Sequence, residues 1–255
     1  MLIDTHAHLW WSIFEGEVDK VIKRASEAGV KKIIVPGTDL ETSKLAVELA
    51  KQYPGVIFAA VGIHPEEIST NNLQDTIYNL QKMIIEDREY IVAIGEVGTD
   101  KHGEQESEIE QQKLIFAQQL RLAEEMSLPV IIHTRESWAE TWEELEKFKQ
   151  LKAVFHCFSY GETELEQALS RGAWVGIGGN ITWSKRIQKV VKIIPSERLL
   201  VETDSPLMTP LELKPETNEP ANVKIIAQMV ADLKGYTLKE VEEQTTENAE
   251  RLFNI

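Results

Sequence analysis

Eight times along this chain a short apolar run is followed by a polar turn and then by a segment with helical spacing. The runs fall at 2–6, 31–36, 56–62, 91–95, 129–133, 153–156, 173–177 and 199–203. Strands that alternate with helices pair in parallel through right-handed crossovers, which confines the chain to the α/β class. An open doubly wound sheet and a closed barrel both meet that condition. Eight units with no obvious edge strand favour closure, and 255 residues suits a barrel in one domain. The expectation is a single domain over 1–255, a TIM-type (β/α)8 barrel with a C-terminal helical extension.

The segments between the runs carry apolar stripes. Leu73, Ile77, Leu80 and Ile84 share one helical face, as do Ile109, Phe116, Leu120 and Ala123, and likewise Trp138, Trp142 and Leu145. Thr38 with Glu41, Ser159 with Glu162 and Thr237 with Glu240 have capping-box spacing, and Asn218 with Pro220 marks another helix start. A hydrophobic fraction of 42% supplies a core. No run reaches the roughly 20 apolar residues of a membrane span. Met1 leads straight into a strand-like segment, and the only cysteine, Cys157, has no internal partner for a disulfide. Both features predict a cytoplasmic protein without a secretory leader. The net charge of −15 argues against a protein that coats duplex nucleic acid, though not against an enzyme that meets one end of a strand. Glu104, Glu106, Glu108 and Glu110 read as a solvated helix face.

Chemistry concentrates where the strands end. Asp4, His6 and His8 alternate along the end of the first strand and so share a face. Two histidines there make a pincer for Zn, Mn, Fe or Ni, although the pair alone also fits two polar strand residues. Glu96 follows the fourth run, His133 ends the fifth, His156 ends the sixth and Asp204 follows the eighth. Four histidines and two acids at one end of parallel strands are poor core filler, because a buried charge needs compensation and a metal supplies it. That end is also where barrel enzymes keep their active sites.

The motifs IDTHAHL at 3–9, GIHPEE at 62–67, IGEVGTD at 94–100, VIIHTRES at 130–137, VFHCFSYGETE at 154–164, ERLLVETDSP at 197–206, NEPANV at 218–223 and TTENAERLF at 245–253 follow one another in order. With them the chain resembles the TatD family of metal-dependent deoxyribonucleases, within the amidohydrolase-like barrels, over nearly its whole length. The resemblance implies two neighbouring divalent metals, with Zn, Mn and Mg all open. His6, His8 and Asp204 would hold one, His133 and His156 the other, and Glu96 would bridge them. It further implies hydrolysis of DNA phosphodiesters, of 3′–5′ exonuclease type, through a metal-activated water. Asp204 would take the proton, and Glu96 would share the catalytic role. DNA ends or short single strands would be the substrate, with no membrane and no obligate protein partner. His64 and Arg135 are candidate substrate contacts, the latter for phosphate. Asp4 and Glu202 are expected to orient metal-bound histidines. Cys157 reads as a core thiol and His102 as a loop residue. Trp10, Trp11 and Trp183 read first as packing residues and second as base-stacking ones.

The chain departs from the family pattern in three places. Trp10 stands where many relatives have an acid, Leu213–Thr217 replaces arginine-rich sequence, and Lys101-His102-Gly103 follows Asp100 where aromatics are common. Two other functions use the same residues: a small-molecule ester, amide or phosphate hydrolase with the same metals, and a non-catalytic barrel that binds a partner. The full ligand set argues against the second.

Overall fold

The structure is a computed structural model that describes residues 1–68, 73–103 and 106–255, without the side chains of residues 73, 106 and 107. Glu104 and the side chains of Leu73 and Glu106, which entered the helix-face readings, lie outside the described residues.

The strands are β1 (Leu2–Asp4), β2 (Val30–Pro36), β3 (Ile57–Val61), β4 (Ile91–Asp100), β5 (Val130–Arg135), β6 (Ala153–Phe155), β7 (Trp174–Ile177) and β8 (Leu199–Val201). They form one eight-stranded sheet in the order β1-β2-β3-β4-β5-β6-β7-β8. β1 pairs with β2, β3 with β4, β4 with β5, β5 with β6 and β7 with β8, all in parallel. Beyond β1 and β8, Ala7 bridges Ser205 in the parallel sense. First and last strands thus meet, and the fold is the expected (β/α)8 barrel. The intervening helices are α1 (Val18–Ala28), α2 (Leu40–Gln52), α3 (Leu73–Glu86), α4 (Glu106–Met126), α5 (Trp138–Leu145), α6 (Glu162–Ser170) and α7 (Lys185–Ile193), and α8 (Val223–Lys234) and α9 (Leu238–Phe253) form the C-terminal extension. None of the described helices is long and apolar enough to cross a membrane.

The chain divides into two compact units, one of Met1–Val35, Gly55–Ile57 and His156–Ile255, the other of Pro36–Pro54 and Phe58–Phe155. In the first, α9 packs on β1 and β8. Buried Asn248 fastens it by donating to Ser196 O at 2.7 Å and Leu199 O at 2.8 Å. The N-terminal ends of these strands are thereby covered, which leaves the opposite ends for chemistry. In the second unit, Phe116, Leu120 and Ala123 of α4 are fully buried, as their spacing predicts.

Two of the expected caps shift. α2 is capped by Asp39, whose side chain accepts from Thr42 N in a reciprocal box, instead of by Thr38 with Glu41. α6 starts after Gly161, with Glu164 reaching back to the Gly161 N–H, instead of after Ser159. At α2 the cap is the next residue along, and at α6 a glutamate in the first turn satisfies the N–H of the residue before the helix. The Thr237–Glu240 box on α9 is present as read.

Candidate metal centre

In the first unit, β1 stops at Asp4, so His6 and His8 stand on the chain just beyond it. That chain is laced to the segment after β8. Asp204 N donates to His6 O at 2.8 Å, and His8 N donates to Ser205 O at 2.7 Å. The lacing brings three donors together: His6 Nε2 and His8 Nε2 lie 3.2 Å apart, and Asp204 Oδ1 lies 3.4 Å from His8 Nε2 and 3.8 Å from His6 Nε2. Donors around one tetrahedral cation stand about 3.4 Å apart, so these three have the spacing of shared ligands. Burial raises the Asp204 carboxyl, but the His8 hydrogen bond and the positive character of His6, His156 and His8 outweigh it and hold the acid below its ordinary range.

His156 follows β6 and stacks on His6, with ring centroids 4.1 Å apart and planes at 13°. Its Nδ1 is 3.4 Å from Glu202 Oε1. Glu202, 1% exposed, also accepts from Cys157 N and from the Thr5 hydroxyl. His6, His156 and Glu202 can offer ligand atoms within 4.8 Å of one another. Room for Glu202 depends on Gly176, since a Cβ there would run into its carboxylate.

Asp4 reaches its histidine through the backbone. Its carboxylate accepts from Thr203 N at 2.9 Å, Thr203 Oγ1 at 2.6 Å and His6 N at 3.3 Å, and its hydrogen bonds reach no histidine ring. It orients His6 through the backbone and pins β1 to the end of β8. Burial pushes its carboxyl up to about 8, against the pull of those hydrogen bonds.

In the second unit β4 runs on to Asp100, five residues past the expected end, so Glu96 lies inside the strand. The register with β5 shifts between Ile94 and Val97 and then pairs Gly98 with His133 and Asp100 with Arg135. Gly98 is required by this closeness: its φ is +152°, and a Cβ there would meet the His133 carbonyl. Glu96, at the shift, and Asp100, beyond it, both reach the His133 side chain. They grip one imidazole, with His133 Nδ1 2.7 Å from Glu96 Oε1 and Nε2 2.9 Å from Asp100 Oδ2. Asp100 accepts a further bond from His102 N at 2.8 Å, and Gln112 Oε1 accepts from its own N–H. Burial raises the Asp100 carboxyl, yet the His133 and His102 hydrogen bonds and the charges of His133 and Arg135 bring it below its ordinary value.

His64 caps the turn Pro65–Glu67, its Nδ1 accepting from Glu66 N at 3.1 Å. An accepting Nδ1 leaves the proton on Nε2, which lies 3.5 Å from Glu96 Oε1. His64, Glu96 and His133 form another group with ligand atoms within 4.8 Å of one another. With its Nε2 protonated, His64 suits donation to a carboxylate or phosphate oxygen better than ligation.

Each of the six expected ligands therefore lies in a donor cluster of its own unit. Arg135 ends β5 with an exposed side chain and acts on Asp100 by its charge. Cys157 is half-buried instead of in the core, since it follows β6 in a turn with φ of +43°. His102 is an exposed turn residue paired with Glu136 at 3.0 Å. The sequence reading missed Asp100 as a partner of His133. The signal was alternation through Glu96, Gly98 and Asp100, hidden because the apolar run ends at Gly95. Imidazole nitrogens with carboxylate oxygens make a mixed set that suits a divalent cation of borderline softness.

The family model for TatD related DNase matches residues 3–254. A 3′-5′ ssDNA/RNA exonuclease TatD from Erwinia tasmaniensis is 38% identical, with 100% of both chains covered. The metal-dependent hydrolase YabD of Bacillus subtilis, described as uncharacterized, is 36% identical, also with 100% of both chains covered. Among solved structures, the TatD homolog YJJV from Escherichia coli k12 superposes with a TM-score of 0.92 at 30% identity, over 100% of this chain and 98% of that one. With the family model spanning almost every residue and relatives matching end to end, the chain belongs to the TatD-related DNase family of metal-dependent hydrolases.

Proposed function

We propose that the protein is a 3′–5′ exonuclease that hydrolyses phosphodiesters at the ends of single-stranded nucleic acid with two divalent metals, of which Zn²⁺, Mn²⁺ and Mg²⁺ are the candidates. The observation that carries this reading is the pair of largely buried imidazole–carboxylate groups at the C-terminal ends of the strands, in a chain whose full-length relatives include one named for that activity. The ligand set is His6, His8, Glu96, His133, His156 and Asp204. Bound metals would polarise the phosphodiester and acidify an attacking water.

The chain's own residues supply the rest. Asp204 Oδ1, beside His8 Nε2 at 3.4 Å, accepts the proton of the attacking water. Asp100 keeps His133 oriented from the far side of its ring. His64 donates from Nε2 to a phosphate oxygen. Arg135, exposed at the end of β5, offers a second phosphate contact. A cytoplasmic location agrees with this chemistry.

The test is a Mn²⁺- or Zn²⁺-supplemented activity screen with single-stranded DNA, RNA and simple esters as substrates. Stepwise shortening of the nucleic acids from the 3′ end is expected. Turnover of esters with no cleavage of either nucleic acid would replace the nuclease by a small-molecule hydrolase.

A further inference from the structure

The first unit carries aromatic side chains that the donor set does not use. Trp10 and Trp11 follow the His-x-His turn after Leu9. Both indoles are half-exposed, with ring centroids 5.5 and 6.3 Å from the His8 imidazole and 6.1 Å from each other. Further round the same unit, Trp183 follows β7 and is 38% exposed. Lys214, in the segment after β8, holds its ammonium 4.4 Å from the Trp183 ring centre. The two segments are tied together by Leu211 N, which donates to Thr182 Oγ1 at 2.9 Å. All four side chains thus lie past the C-terminal ends of β7, β8 and β1, the ends that carry His8 and Asp204.

We infer that these residues form a single-strand subsite, in which Trp10 and Trp11 stack the terminal base beside His8 and the Trp183–Lys214 pair holds a nucleotide further along. The inference rests on the nuclease reading above and adds how the strand is recognised. Three physical points support it. Indole faces left partly open to water beside a donor cluster gain by covering apolar area, and every nucleobase offers a flat face without regard to sequence. The chain's net charge of −15 repels polyphosphate, so stacking and locally placed cations such as Lys214 would add affinity beyond the phosphate contacts already assigned. Finally, bases paired in a duplex do not present their faces, so a subsite built this way selects unpaired ends.

The experiment compares two DNA oligonucleotides that differ only in their last two residues, one with normal bases and one abasic. The parent is expected to prefer the normal end by about tenfold or more in kcat/KM. Trp10→Ala with Trp11→Ala should bring the ratio close to one, whereas the Phe pair, which keeps an aromatic face, should retain most of it. Lys214→Ala should flatten the salt dependence of KM. A parent ratio near one, or a ratio unchanged in the alanine pair, overturns the inference. The phenylalanine pair separates lost stacking from misfolding. If the parent cuts neither oligonucleotide, the nuclease reading fails, and indole fluorescence without added metal decides the subsite. Quenching by oligo-dT that disappears in the alanine pair upholds it, and absence of quenching in the parent removes it.

Discussion

Around β8 and β1, histidine nitrogens crowd one another: His6 and His8 face each other at 3.2 Å, with Asp204 Oδ1 3.4 Å from His8 and 3.8 Å from His6. Around β4 and β5, both nitrogens of His133 already face carboxylates, Glu96 at 2.7 Å and Asp100 at 2.9 Å. Both groups contain imidazole and carboxylate, yet their electrostatics differ. Two buried imidazoles that point at each other are relieved by a cation placed between them. A histidine held between two acids compensates their charge itself, so a cation entering there competes with a proton. On the proposed function, the second group would therefore be oriented before a metal arrives, and the first would be completed by it. On that reading, unequal metal affinities would follow, and catalysis would rest most heavily on the first group, where Asp204 sits.

The largest effect expected from that division is at Asp204. Asp204→Asn keeps the shape but removes the basic lone pair and the charge beside His8. Single-turnover cleavage of a short single-stranded DNA, at verified Mn²⁺ occupancy, should fall by about 10²–10⁴-fold. Turnover within a few-fold of the parent would take Asp204 out of the proton transfer and remove the asymmetry between the groups.

The next effect is on folding, through the glycines that make room for each group. At Gly98 an added Cβ would meet backbone, the His133 carbonyl, at a φ of +152°. At Gly176 it would meet the carboxylate of Glu202, which is a side chain. Backbone on two paired strands yields less than a side chain does, so Gly98→Ala should cost about 3 kcal/mol or more and Gly176→Ala about 1–3 kcal/mol. Chemical denaturation measures both. A Gly176 variant as damaged as the Gly98 variant would show that the first group is held as rigidly as the second.

A third effect isolates the second group. Asp100→Asn leaves His133 bound to Glu96 but weakens the partner that fixes its ring, and should lower metal affinity there by about 10–100-fold. Calorimetric titration of the variant with Zn²⁺ should show one binding step weakened and the other kept. Equal weakening of both steps would mean that the groups do not load separately.

Much of this donor clustering was legible in the sequence because the candidate ligands stand where apolar runs stop, and burial on a strand makes a terminal histidine or acid conspicuous. His133, His156 and Asp204 were singled out that way. Asp100 was not, because polar and small residues from Gly95 onward mask a strand that in fact continues to Asp100. Its pairing with β5, set by a register shift that no single segment encodes, carries it to His133. Asp4 was expected to orient the histidines, and it reaches His6 through the backbone N–H, because β1 has already ended there. Its true partner, Thr203, is distant in sequence and is reached only when β1 and β8 meet. Helix starts were missed by one or two residues for a local reason: Asp39 caps Thr42 N where Thr38 was expected to cap, and Glu164 reaches back to the Gly161 N–H where Ser159 was expected to cap.

The smallest expected effect concerns what braces the second group from behind. Lys101, the residue after Asp100, donates to Glu140 Oε1 on α5 at 2.5 Å. Burial raises the Glu140 carboxyl, but the Lys101 hydrogen bond and the charges of Lys101 and Lys113 outweigh it and hold the group below its ordinary value. A carboxylate whose folded-state pKa is depressed stabilises the fold at every pH above its unfolded value. That contribution fades as the pH falls from the ordinary carboxylate range through the folded-state value. Lys101 and Glu140 are both partly exposed, with side chains 38% and 21% accessible, so water screens the pair and its worth is about 0.2–1 kcal/mol. Glu140→Gln should therefore melt slightly below the parent at neutral pH, and the two melting curves should converge as the solution is acidified. A gap that persists unchanged into acid would mean that the variant lost packing on α5 instead of an ionic brace, and the second group would then owe its orientation to Asp100 and Gln112 alone.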